Sequence, residues 1–120
     1  MFNMEIDRDK KAFIITVAGS FTSKESMDFL NDFHTLTKEF DLKEFTLVVD
    51  GKDLRVSASN VSDKLRDVIE LYSKSPFKKR IIVKQKSAMA FNQSNRLAID
   101  IFNSDTFLFV NTIEEAFSKL

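Results

Sequence analysis

The chain contains no cysteine, which excludes disulfide stapling, thiol nucleophiles and thiolate metal sites. Its 120 residues include no tryptophan, one tyrosine, one histidine, one proline and two glycines. So few chain-breaking residues leave nothing from which to build a flexible linker, and no low-complexity tract stands in for one. The lone histidine, His34, lies beside Phe33 with no second ligand or Ser/Asp pattern around it, so it supports neither a metal site nor a triad. No run approaches the ~20 apolar residues of a membrane span. An excess charge is missing too: 18 Lys+Arg balance 18 Asp+Glu, which gives no field to recruit nucleic acid or an anionic membrane. Gly-rich phosphate loops, HExxH and paired-Glu patterns are all absent, so no catalytic residue, metal or cofactor is assigned and no enzyme is expected. The opening MFNMEIDRDKK meets charge before any apolar run, unlike a secretory leader, and the expected location is the cytoplasm.

Phenylalanine is abundant, at 13 residues. It has no polar handle, so it serves core volume or an apolar contact surface rather than hydrogen-bonded recognition. With 43% apolar and 30% charged residues, the composition is that of a soluble globular protein, and the length suits one domain over residues 1–120.

Met4 to Asp7 is a short candidate strand, followed by a hairpin turn at Asp7–Lys11 and a strand from Ala12 to Ala18 rich in β-branched and aromatic residues. Thr22 or Ser23 caps a first helix, whose stripe runs through Phe29 or Leu30, Phe33, Leu36 and Phe40. Phe45 to Val49 is a near-continuous apolar strand ending at Asp50, where Asp50 and Gly51 organise a turn. Val61, Leu65, Val68, Ile69 and Tyr72 mark a second helix closed before Pro76. Arg80 to Lys84, a third helix from Ala88 to about Phe102, Thr106 to Val110 and a terminal helix from Ile113 complete the chain. The order β-β-α-β-α-β-α-β-α predicts an α/β fold. Its five-stranded sheet is mostly parallel, with one antiparallel N-terminal edge strand and four helices.

Three segments carry a family resemblance: VAGSFT at Val17–Thr22, LVVDGKDLRVSASNV at Leu47–Val61, and LFVNTIEEAFSKL at Leu108–Leu120. Together the chain resembles the STAS domain, the fold of bacterial anti-sigma-factor antagonists and of the cytosolic tails of sulfate transporters. The resemblance implies a non-enzymatic regulatory module that binds a protein partner such as an anti-sigma kinase. It also implies a phosphorylated serine at the start of the second helix. Aligned from Asp50, the phospho-acceptor falls on Ser59, while the family's neighbouring aspartate and glycine are replaced by Ala58 and Val61.

Independently of any family, Ser59 at a helix start is either a plain N-cap or a phosphate site that the helix dipole favours. Ser57, Asn60 and Ser62 compete for the capping role. Asp53, Arg55, Ser57, Asn60, Ser62 and Lys64 are the candidate partner-binding residues. Two other functions stay open. One is a carrier or sensor of a small apolar ligand, with Phe91, Phe102, Phe107 and Phe109 lining a pocket. The other is a homodimer that buries one strand face at Phe13, Ile15 and Val17. A receiver-like site at Asp50 and Asp53 would need Asp7 and Lys84, which the sequence places poorly. Lys74, Lys78, Lys79, Arg80, Lys84 and Lys86 form a basic stretch, either a solvated flank or a surface for an acidic partner.

Overall fold

The computed structural model describes residues 1–19, 22–54, 59–84 and 107–120, with backbone alone at residues 23 and 59–65. Its sheet has five strands: β1 (Phe2–Asp7), β2 (Ala12–Gly19), β3 (Thr46–Leu54), β4 (Lys79–Val83) and β5 (Phe107–Val110), in that spatial order. β1 is antiparallel to β2, and β2 through β5 are parallel. Among the described residues the helices are α1 (Ser23–Leu36), α2 (Ser59–Lys74) and α3 (Ile113–Ser118), with short 3-10 turns at Thr37–Glu39 and Leu42–Glu44. The expected helix at Ala88–Phe102 lies outside the described residues.

The inner strands β2 and β3 are buried on both faces, which explains why they are apolar without alternation. Phe13, Ile15, Val17, Leu47 and Val49 face α1 and α2 and meet Phe29, Phe33, Tyr72 and Phe77. Ala12, Ile14, Val48, Ile81, Val83 and Val110 form the opposite face, packed against Ala116 with Ile113 and Phe117 of α3. Phe13 and Ile15 are fully buried within one chain, so they do not form the exposed strand face expected for a homodimer.

Thr22 caps α1 through Oγ1, which accepts the Glu25 N–H at 3.1 Å. The Glu25 carboxylate meets the Met1 ammonium at 2.8 Å, and that hydrogen bond holds its pKa below the usual range. Phe40 does not belong to the helical stripe: α1 ends at Leu36, and Phe40 has extended backbone, φ −151° and ψ 165°. Its ring still reaches the core, 4.5 Å from Phe45 and 5.2 Å from Phe13. Thr112 caps α3 by accepting the Glu115 N–H, while Glu115 Oε2 accepts the Asn111 N–H, so the two ends of the first turn satisfy one another.

Tyr72, 3% exposed, stands between Phe29 and Phe33. Burial penalises the phenolate and pushes its pKa well above the ordinary 10.0. As pH passes about 10 the unfolded chain ionises first, so the stability this group contributes is intact below that pH and falls above it. Tyr72→Phe keeps the ring and removes the titration. The variant is expected to match the wild type within about 1 kcal/mol near neutrality and to overtake it above pH ~10.5. Urea midpoints measured across pH check this; parallel alkaline losses in both proteins would refute it.

Candidate functional site

The parallel strands β2 to β5 end on the same side of the sheet, and α1 and α2 begin there, so among the described residues this rim holds Asp50, Asp53 and the start of α2. β3 does not stop at Asp50. It continues to Leu54, and the register against β2 jumps from Thr16↔Asp50 to Ala18↔Asp53, so Val17 alone stands opposite Gly51 and Lys52. That is a β-bulge rather than a turn. Pairing with β4 ends at Asp50↔Val83, so the bulge lifts the last residues of β3 beyond its inner neighbour.

Gly51 accordingly has no positive φ; the left-handed glycine is Gly19, at φ 67°, where β2 ends. Asp50 organises the bulge instead of a turn. Its Oδ1 accepts the Lys52 N–H at 3.3 Å, and Lys52 Nζ lies 3.8 Å from Oδ2. Residue 50 is only 6% exposed. Lys52 is a partner that the sequence reading missed; its spacing of two residues from Asp50 is the one signal that pointed to it.

α2 opens at Ser59, the position expected for a phospho-acceptor. Its first turn holds no acidic residue, whereas α1 has Glu25 there and α3 has Glu114 and Glu115. The positive end of the α2 dipole therefore lacks the first-turn carboxylate that the other two helices carry. Asn60, Ser62 and Lys64 share the first two turns of α2, described by backbone alone. Asp53 is exposed on β3, across from Ala18. Arg55 and Ser57 lie outside the described residues. The later part of α2 is charged on its outer side, with Arg66 Nε 3.6 Å from Glu70 Oε1.

Among the described residues no group of three or more His, Cys, Asp and Glu is placed to hold a metal ion. Asp7 pairs with Ala12 at the opposite end of β2 from Thr16↔Asp50, so the two carboxylates are a strand-length apart and form no receiver-like pair. His34 is exposed on α1, edge-on to Phe33 at 6.2 Å.

The basic stretch is divided by the fold. Arg80 turns inward and clamps the end of α2: Nε donates to the Tyr72 carbonyl at 2.8 Å, and Nη2 to those of Ser73 at 3.0 Å and Ser75 at 2.6 Å. Those carbonyls belong to the last turn of α2 and its exit, where the helix runs out of N–H donors, and Ser75 also accepts the Phe77 N–H at 2.8 Å. Arg80 also lies over the Phe107 ring at 5.9 Å. Lys79 Nζ donates to the Lys119 carbonyl at 3.1 Å. Lys86 lies outside the described residues. Phe107 and Phe109 are half-buried and alternate onto one face of β5, with Phe107 packed against the α1/α2 core. Phe91 and Phe102, the other two candidates for an apolar pocket, lie outside the described residues. No helix among the described residues is long and apolar enough to cross a membrane.

Neither a family model nor a curated protein matches the chain. Among solved structures, it is similar to an uncharacterized protein of the DUF3478 family from Shewanella loihica PV-4, which has a SpoIIAA-like fold. The TM-score is 0.68 at 16% identity, over 100% of this chain and 92% of the other. The chain thus has a SpoIIAA-like fold.

Proposed function

We propose that this protein is a non-enzymatic regulatory module that docks a protein partner on the rim formed by the end of β3 and the start of α2, under the control of phosphate on Ser59. The observation that carries the reading is the opening of α2 at Ser59 with no acidic residue in its first turn. Phosphate there adds roughly −1.5 to −2 charge where the helix dipole favours it, and repels an acidic partner surface. The SpoIIAA-like fold supports the same reading at the level of the fold, and the sequence resemblance to anti-sigma-factor antagonists sets their phospho-acceptor at Ser59. Asp53, Arg55, Ser57, Asn60, Ser62 and Lys64 would supply the surrounding contacts, and an anti-sigma kinase is the partner to look for.

The test joins modification to binding. Phosphate mapping on protein from the native cell is expected to find Ser59 modified in part of the population. A partner captured through a photo-crosslinker at Asp53 is expected to bind Ser59→Ala as it binds wild type. Ser59→Asp is expected to bind at least about tenfold more weakly, the equivalent of about 1.4 kcal/mol. Equal affinity for the Ala and Asp variants, or Ser59 never modified while another residue cycles, would defeat the proposal.

A further inference from the structure

The outer edge of β1 has its own pattern. Met1 and Ala18 exchange both backbone bonds, at 3.0 and 2.9 Å, and the register from Phe2↔Val17 to Asp7↔Ala12 is unbroken. Bonded and non-bonded pairs alternate along an antiparallel ladder. Asn3, Glu5 and Asp7 therefore direct their backbone groups to β2, while Met4 and Ile6 turn theirs outward. Among the described residues no strand pairs with this edge. Proteins usually block such edges with charged side chains, above all lysine, with proline, a bulge or a very short strand, and of these β1 carries only the carboxylates Glu5 and Asp7. β1 contains no lysine, proline or bulge, and its six residues exceed the four of β5 at the opposite edge.

We infer that a second copy of this chain pairs its β1 with this edge, antiparallel, about a twofold axis at Met4. The outward groups meet only in registers that set even positions against even ones. With the axis at Met4, Met4 faces its own copy and Asn3 faces Glu5 of the second copy on both sides of the axis. Asn3 and Glu5 are both exposed on the same strand face, so each amide can donate to a carboxylate. Moving the axis to Glu5 sets Glu5 against Glu5, a like-charge pair that disfavours the register. Moving it to Asn3 leaves Ile6 beyond the pairing. The strand is thus complementary to itself in one register, as a twofold interface requires. The Phe2 ring stays in its own protomer, edge-on to Phe29 at 5.3 Å.

Sedimentation equilibrium of the full chain, without an added N-terminal tag, tests this across concentration. The wild type is expected to dimerise. Asn3→Glu, which sets Glu against Glu5 twice, is expected to weaken the dimer at least tenfold; Asn3→Lys is expected to tighten it. The double variant Asn3→Glu/Glu5→Lys is expected to restore it. Met4→Pro removes an outward N–H while sparing the β2 ladder, and is expected to yield a monomer with unchanged circular dichroism. A wild type that stays monomeric up to about 1 mM, or a dimer indifferent to Asn3→Glu and Asn3→Lys, overturns the inference.

Discussion

Phe13→Ala is expected to destabilise the chain by about 3–5 kcal/mol, against the 5–15 kcal/mol that typically holds a domain folded. Phe13 is fully buried in a central strand, and its ring joins three others that arrive from separate parts of the chain. Phe33 of α1 lies 5.9 Å away, Phe40 beyond α1 lies at 5.2 Å, and Phe77 from the α2–β4 link is stacked at 6.3 Å. Truncation would remove the transfer energy of the ring, leave a cavity, and forfeit pairings worth about 0.5–1.5 kcal/mol each beyond area. Phe13→Leu, which refills much of the space, is expected to cost only about 1–2 kcal/mol. Urea unfolding followed by circular dichroism gives both values. A loss under about 1.5 kcal/mol for the alanine variant would show that the four rings do not act as one core.

Arg80→Ala is expected to cost about 2–4 kcal/mol, more than most half-exposed arginines. Hydrogen bonds from a charged donor contribute about 1.5–3 kcal/mol, and removing the guanidinium takes that donor from the Tyr72, Ser73 and Ser75 carbonyls at a helix end, although Ser75 keeps the Phe77 N–H. The effect falls short of three full bonds because water reaches a half-buried site. Arg80→Lys is expected to recover less than half the loss, since a single ammonium cannot reproduce the fork that spans Tyr72, Ser73 and Ser75. Amide exchange is expected to quicken selectively in the last turn of α2, with α1 unchanged. Uniform quickening, or a lysine variant as stable as the wild type, would show that the positive charge rather than the clamp matters.

Six basic residues between 74 and 86 look like one surface when only their charge is counted. In the fold Arg80 shares the α1/α2 face with Ile82, where the end of α2 places open carbonyls within its reach, and burial there favours bonding over solvation. Sequence spacing carried no sign of this, because donor and acceptors belong to two elements whose juxtaposition is tertiary. The same holds for Phe40. Its i+4 spacing from Leu36 fitted a helical stripe, yet the ring enters the core from an extended residue after the helix has ended.

Other features were legible. Thr22 caps α1 because a short polar side chain beside the first turn is dictated locally. The start of α2 was legible only to within a few residues, since Ser57, Asn60 and Ser62 competed with Ser59, and the helix opens at Ser59. The rim was harder. Asp50–Gly51 has the composition of a turn, and only the pairing of β3 with β2 past that point turned it into a bulge and carried the strand on to Leu54.

Among the described residues the sequence by itself determined the order of strands and helices, the parallel sheet with its antiparallel edge and, to within a few residues, where helices begin. Each of these rests on periodicity, β-branching and caps that act within a few residues. The tertiary structure alone decided which strand face α1 and α2 cover, that β3 outruns β4, and that Arg80 serves a helix end instead of a basic surface. Those outcomes depend on desolvating groups far apart in the chain, and such a cost is set only when the elements meet.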